Sequence, residues 1–225
     1  MKDYSKILMR PSDSFLTKIF ARSLSVKISP WLAEKTEITP LQVTLCGLLI
    51  GLVAAWVGSH TEWALCILAA LLMEMSHILD CVDGELARLT DRGSPFAASM
   101  DPITDRIKDI AVVYASFFQA SQAHTLNLSA VELSGIAFFA IGIWMFYIYV
   151  VDAYLNPARK VKTRSDPKSE LQHIYFGMYD VFIYGSIVLW AFNRFEYFMF
   201  VILGVAITAS MIQVIRLKLV YSSTS

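Results

Sequence analysis

The sequence predicts an all-α integral membrane protein: six transmembrane helices preceded by an N-terminal amphipathic surface helix. Three observations predict it. Of 225 residues, 56% are hydrophobic and 17% charged, and mean hydropathy is +0.53; an ordinary soluble domain carries about a quarter charged residues. Several windows approach or exceed the roughly 18 consecutive apolar residues that read as a membrane span. The positive charges between those windows fall almost entirely on one side.

Residues 1–38 form the N-terminal segment. Phe15, Leu16, Ile19, Phe20 and Leu24 recur at helical spacing, with Lys18, Arg22 and Lys27 beside them. That is the pattern of a helix lying in a membrane surface, and Ser29-Pro30 is expected to break it. The membrane domain covers 39–217 and a short tail 218–225. Thr39 suits an N-cap and Pro40 the first helical position, so the first span opens there and runs to about Gly58. The second starts at Trp63 and runs into the aspartates near residue 80. The third covers Ser94-Pro95 to about Gln119, the fourth 130–154, the fifth 174–193 and the sixth 196–217. Cys46, Cys66 and Cys81 lie in or beside apolar runs without metal-ligand spacing, and read as buried small hydrophobes.

Charge orients the chain. Seven Lys/Arg precede residue 39, two follow the second span, five follow the fourth and two follow the sixth; only Arg194 lies opposite. The bias places both termini and the aspartate segment in the cytoplasm, in an inner or plasma membrane. No nucleic-acid partner is expected.

Within this apolar chain, the 27 residues from Asp80 to Arg106 hold five aspartates and a glutamate. Asp80 and Asp83 share a face at the end of the second helix, and Asp101 and Asp105 share a face of the third. A short connection makes the two helices antiparallel neighbours, so four carboxylates can converge. Each charge placed mid-membrane costs about 2.5–3.5 kcal/mol on insertion scales, and four cost on the order of 10 kcal/mol at that depth. A divalent cation resolves the conflict, and all-oxygen ligands favour a hard ion such as Mg²⁺, Mn²⁺ or Ca²⁺, one ion or two, over zinc. Between the pairs, Gly84 admits a close approach to the backbone and Ala87 extends the small face. Arg88 offers a fork of donors suited to phosphate. Together they describe a pyrophosphate site, which is equipment for phosphoryl transfer.

This constellation resembles the CDP-alcohol phosphatidyltransferase family, whose motif is D-x-x-D-G-x-x-A-R-x₈-G-x₃-D-x₃-D. Asp80, Asp83, Gly84, Ala87, Arg88, Asp101 and Asp105 match at the right spacing, and Ala97 stands where the family has glycine. The resemblance implies a six-helix membrane enzyme, usually a homodimer. Such an enzyme moves a substituted phosphoryl group from a CDP-linked donor to an alcohol or alcohol-phosphate acceptor and releases CMP. It further implies that Asp80, Asp83 and Asp101 hold metal, and that Asp105 is the general base and touches a second ion. Asp83, Gly84, Ala87 and Arg88 would contact the nucleotide.

The acceptor side is read from scattered features. Asp180 is an intramembrane carboxylate flanked by tyrosines, and such groups are functional candidates by default. Arg106, Lys108 and Asp109 are expected either to pair with neighbouring carboxylates or to line the acceptor pocket, and the basic loop with Arg159 either to dock a phosphorylated acceptor or to anchor to anionic lipid. The opening RPSD and ITPLQVT segments are also similar to the synthase domain of archaeal di-myo-inositol phosphate phosphate synthases. The preferred expectation is phosphatidyl-type transfer from CDP-diacylglycerol to an inositol- or glycerol-phosphate acceptor, in phospholipid synthesis. Transfer from a soluble CDP-inositol-like donor is the alternative. A cation transporter using the aspartate cluster would leave Gly84, Ala87 and Arg88 without a purpose.

Overall fold

The structure, a computed structural model, describes residues 8, 13–151, 153 and 178–222. Among them there are helices and no strands. The N-terminal segment forms α1 (Phe15–Ile19) and α2 (Ala21–Lys35), followed by α3 (Pro40–Val57), α4 (Trp63–Leu89), α5 (Pro95–Ala123), α6 (Ala130–Val150), α7 (Met178–Ala191) and α8 (Phe198–Ser222). A 3-10 turn, Phe195–Tyr197, precedes α8.

The starts follow from capping chemistry. Thr39 accepts from the Gln42 amide while Gln42 reaches back to the Thr39 amide at 2.9 Å, and Pro40 sits at the first helical position. Ser94 accepts from Ala97 N–H at 3.1 Å and is followed by Pro95. Ser129 and Glu132 form another reciprocal box at the start of α6. Each satisfies amides that have no intrahelical partner.

Four segments are long and apolar enough to cross a membrane: Pro40–Val57, Trp63–Leu89, Ala130–Val150 and Phe195–Arg216. The other two predicted spans correspond to α5 and α7. The first half of α5 carries Asp101, Asp105, Arg106, Lys108 and Asp109, and α7 has 14 residues.

The bundle is apolar outside as well as inside. Leu49, Val53, Trp56, Leu71, Phe138 and Phe139 face outward, as a lipid-facing surface requires. Inside, Trp144 stacks on Phe182 at 4.7 Å and Trp190 on Phe195 at 3.9 Å. Gly58 makes room for Trp190: a Cβ there would lie 2.3 Å from the indole nitrogen, which donates to Gly58 O at 2.9 Å. Cys66 and Cys81 are buried as expected, but Cys46 lies on the outward face of α3, where lipid can cover it.

Three sequence expectations are corrected. The second helix does not stop near the aspartates but continues to Leu89, so the whole first half of the motif is helical. Helices α4 and α5 are not tightly packed neighbours. α3 packs against both, and the backbones of α4 and α5 stand apart, leaving a cleft that their side chains line. Finally, α2 runs through Pro30. Just before the proline, Ser25 and Ser29, one turn apart, both donate to Glu85 of α4.

That last contact redefines the surface helix. Its outward face carries Phe15, Ile19, Phe20, Leu24 and Trp31. Arg22, read as a headgroup-facing charge, instead points inward and is 6% exposed. A long cation has nowhere to snorkel from that face, and its partners are protein groups.

Candidate active site

Helical geometry sorts the residues of α4 onto two faces. Asp80, Asp83, Gly84 and Ala87 follow i, i+3, i+4, i+7 and line the cleft; Cys81 and Glu85 point towards α2. Asp101 and Asp105, one turn apart on α5, face Asp80 across the cleft. Carboxylate oxygens from Asp80, Asp101 and Asp105 all lie within 4.8 Å of one another.

Asp83 is outside that trio. Its Oδ2 accepts from the Thr44 hydroxyl of α3 at 2.6 Å, and it is buried. It still lines both cavities that open onto the cleft. One, of about 260 Å³, is bounded by Thr44, Asp83, Gly84, Ala87, Arg88 and Asp101, together with Ala97. The other, of about 310 Å³, lies on the opposite side, bounded by Asp13, Ser14, Thr17, His77, Tyr179 and Asp180 along with Asp80 and Arg22. Asp83, Gly84, Arg88 and Asp101 are common to both, so the two chambers meet at the carboxylates.

The proposed acceptor residues separate. Asp180 lines the second cavity and accepts hydrogen bonds from Ser14 and, at 3.3 Å, from Thr17. Lys108 is not an acceptor-cavity residue: its Nζ sits 2.9 Å from Asp105 Oδ1 and 3.3 Å from Asp80 Oδ1, within the carboxylate cluster. Arg106 lines neither cavity. Its guanidinium lies 3.9 Å from Asp105 and 3.4 Å from Asp109, and 5.8 Å from the centre of the Tyr179 ring. Asp109 also accepts from Trp144 Nε1 at 2.9 Å, which ties this ion-pair group to the aromatic core. Arg159 and the basic loop 156–168 lie outside the described residues.

Sequence reasoning missed the support behind the motif. Glu85 is fully buried and accepts from Arg22 at 2.6 Å, Ser25 at 2.8 Å and Ser29 at 2.6 Å. Arg22 also donates to Cys81 O at 3.2 Å and, through two nitrogens, to Asp13. The signal was present: Arg22, Ser25 and Ser29 share one helical face. Ser14, Thr17 and Thr44 were also unremarked, being ordinary hydroxyls in sequence.

The donor set is suited to a hard cation. It is all oxygen, carboxylate-rich and held on two helices, and the first cavity brings a glycine and an arginine beside it. This is an arrangement that can hold a pyrophosphate against metal.

Comparison with known proteins agrees. A bifunctional IPC transferase and DIPP synthase from Aquifex aeolicus is 34% identical over 103 residues, covering 46% of this chain and 23% of that protein. A protein of the same description from Thermococcus kodakarensis is 37% identical over 97 residues, 43% of this chain and 21% of the relative. An archaetidylinositol phosphate synthase from Pyrococcus horikoshii is 35% identical over 77 residues, 34% of this chain and 39% of the relative. The aligned stretches thus span well under half the length of these relatives. The sequence model of CDP-alcohol phosphatidyltransferase matches residues 37–212, which take in α3 through most of α8 and the whole carboxylate motif. The chain belongs to the CDP-alcohol phosphatidyltransferase family of enzymes.

Proposed function

We propose that this enzyme transfers a substituted phosphoryl group, of phosphatidyl type, from a CDP-linked lipid donor to a hydroxyl of an inositol- or glycerol-phosphate acceptor, releasing CMP. The observation that carries this reading is the meeting of two cavities at one carboxylate cluster. The chamber with Gly84, Ala87, Arg88 and Asp83 takes the nucleotide, and the chamber with Asp180 takes the acceptor. In the membrane, α5 and α7 complete six spans, and the site and both termini face the cytoplasm in a homodimer.

In the reaction, the acceptor oxygen attacks the phosphorus that carries the donor alcohol, and the bond from that phosphorus to the bridging oxygen breaks. CMP departs with the electron pair, and Asp105 takes the acceptor proton. Asp80, Asp101 and Asp105, with Asp83 on the nucleotide side, would hold Mg²⁺ or Mn²⁺, which would supply charge neutralisation for the pyrophosphate. Arg88 binds phosphate oxygens as a fork, and Gly84 leaves the backbone open to them.

One relative is named an archaetidylinositol phosphate synthase, which supports a lipid-bearing product with an inositol phosphate headgroup. Two others are named IPC transferase and DIPP synthase, which supports the second reading, a soluble CDP-inositol-like donor. Purified protein in detergent, with Mg²⁺ or Mn²⁺ and CDP-diacylglycerol, is assayed for CMP release across alcohol-phosphate acceptors. Acceptor-dependent release is expected and stops with EDTA. Release from CDP-inositol alone would establish the second reading, and silence with both donors would reject the activity.

A further inference from the structure

We infer that His77 is an acceptor-binding residue: one ring nitrogen takes a hydrogen bond from a hydroxyl of a polyol in the second cavity, and Glu74 holds the other. The inference rests on the proposed transfer and deepens it, since it gives that cavity to the acceptor's hydroxyls and not to its phosphate. His77 lies one turn before Asp80 on α4, is 6% exposed, and lines the second cavity but not the nucleotide chamber. Its Nδ1 is buried with no hydrogen-bond partner, and both oxygens of Glu74, one turn earlier, are in the same condition. Nδ1 and Glu74 Oε2 stand 3.9 Å apart. Buried polar groups are paired as a rule, and ionisable side chains within a membrane helix mark substrate paths. A small movement of the Glu74 side chain closes the pair. With Nδ1–H on the carboxylate, the neutral imidazole keeps an acceptor at Nε2.

Packing holds the ring in place. Tyr184 of α7 meets the imidazole edge-on at 5.6 Å, and Phe20 of the N-terminal segment backs Tyr184 at 5.6 Å. Elsewhere on the cavity wall, the hydroxyls of Ser14 and Thr17 are turned onto Asp180. The guanidinium of Arg22 is already engaged by Asp13, Glu85 and Cys81 O. Away from the carboxylate cluster and Arg88, the described wall therefore presents mainly acceptors. Phosphate oxygens have no proton to give them, whereas every hydroxyl of a polyol has one. Glycerol phosphate has two hydroxyls and spends one in the reaction. A polyhydroxylated ring such as inositol phosphate keeps several for His77 and Asp180.

The test measures donor and acceptor KM in CMP release by the purified full chain in detergent, with inositol phosphate as the varied acceptor. CMP affinity by calorimetry, set in the other cavity, reports that each variant is folded. His77→Phe keeps the ring volume and the edge against Tyr184 but removes both nitrogens. Its acceptor KM is expected to rise about tenfold, the worth of one hydrogen bond, while donor KM and CMP affinity hold. His77→Gln, whose amide oxygen reaches towards the Nε2 position, is expected to restore most of the acceptor affinity. Should the phenylalanine variant lose CMP binding, His77→Asn, whose amide reaches only the Glu74 side, takes its place with the same expected rise. An unchanged acceptor KM in a folded variant would overturn the inference and leave the transfer standing. So would donor and acceptor KM rising together, or a glutamine variant no better than the phenylalanine one. No CMP release by the wild type with any donor would overturn both.

Discussion

Arg22 Nη1 donates to Glu85 Oε1 across 2.6 Å, with both side chains withdrawn from solvent. One residue belongs to the surface helix, and the other follows Gly84 in the carboxylate motif. Ser25 and Ser29 complete the carboxylate's partners, and Asp13 takes the other side of the guanidinium. Helix α2 is thereby fastened to the rear of α4, the helix that carries the first half of the carboxylate motif. The face of α4 that carries Asp80, Asp83 and Gly84 is positioned by the face that carries Glu85.

Removing one member of a buried ion pair leaves the other charge uncompensated, at a cost of about 3–5 kcal/mol. Glu85→Ala is therefore expected to destabilise the protein by that amount in denaturant unfolding in detergent. Replacing both members, Arg22→Met with Glu85→Leu, is expected to recover much of the loss. A single variant within about 0.5 kcal/mol of the wild type, the range of ordinary surface substitutions, would show that the network does not fasten the helix.

Gly84 is open towards the ligand chambers, not tightly packed. A Cβ there would meet Arg88 Nη1 at 3.5 Å, an ordinary contact. Gly84→Ala is expected to leave the fold intact and to stabilise α4 by up to about 1 kcal/mol, since glycine is unfavourable in a helix interior. CMP affinity, measured by calorimetry with Mg²⁺, is expected to fall, because the methyl enters space shared by both cavities. Unchanged affinity with normal stability would remove Gly84 from nucleotide binding.

The motif was legible because its spacing carries its geometry. Residues at i, i+3, i+4 and i+7 share a helical face wherever that helix lies, so Asp80, Asp83, Gly84 and Ala87 could be placed together from the sequence. The cleft was less legible. Which helix separates α4 from α5 depends on packing by small residues of α3, such as Gly47 and Gly51, whose partners are distant in sequence. For Lys108 the sequence leaves two directions open, towards neighbouring carboxylates or towards an acceptor pocket, and the gap at Gly51 fits the first. Glu85 sits at a variable position of the motif and reads as a solvated residue until Arg22, 63 positions earlier, is found opposite it. Asp83 matches the motif, yet Thr44, an unmarked residue of an apolar helix, occupies one of its oxygens.

Asp105 is positioned between the cluster and the two cations Lys108 and Arg106. If it accepts the acceptor's proton, Asp105→Asn is expected to lower turnover by about 10²–10⁴-fold, the worth of a general base, while CMP binding persists. Turnover near normal in a steady-state CMP-release assay would remove it from that role.

Asp180 faces the second cavity from α7, and its oxygen is held by Ser14 and Thr17 of the N-terminal segment. A hydrogen bond to a charged group contributes about 1.5–3 kcal/mol, so Asp180→Asn is expected to raise the acceptor KM about tenfold or more. The donor KM should stay nearly constant. If Asp180 only anchors the surface segment, Ser14→Ala with Thr17→Ala will reproduce its effect, and donor and acceptor kinetics will shift together.

Ala97 departs from the family glycine in the first turn of α5. It is buried, its amide donates to the Ser94 cap, and its methyl borders the chamber assigned to the nucleotide. Two effects oppose each other in Ala97→Gly. The helix loses up to about 1 kcal/mol of propensity, whereas the chamber gains the volume of a methyl group next to Asp101. Because a helix start tolerates glycine better than a helix centre, the catalytic gain should prevail: CMP release is expected to be maintained or increased, with a small drop in stability. A clear loss of turnover in a variant that remains folded would mean that this pocket is shaped around alanine, and that the nucleotide rests against the methyl group instead of being crowded by it.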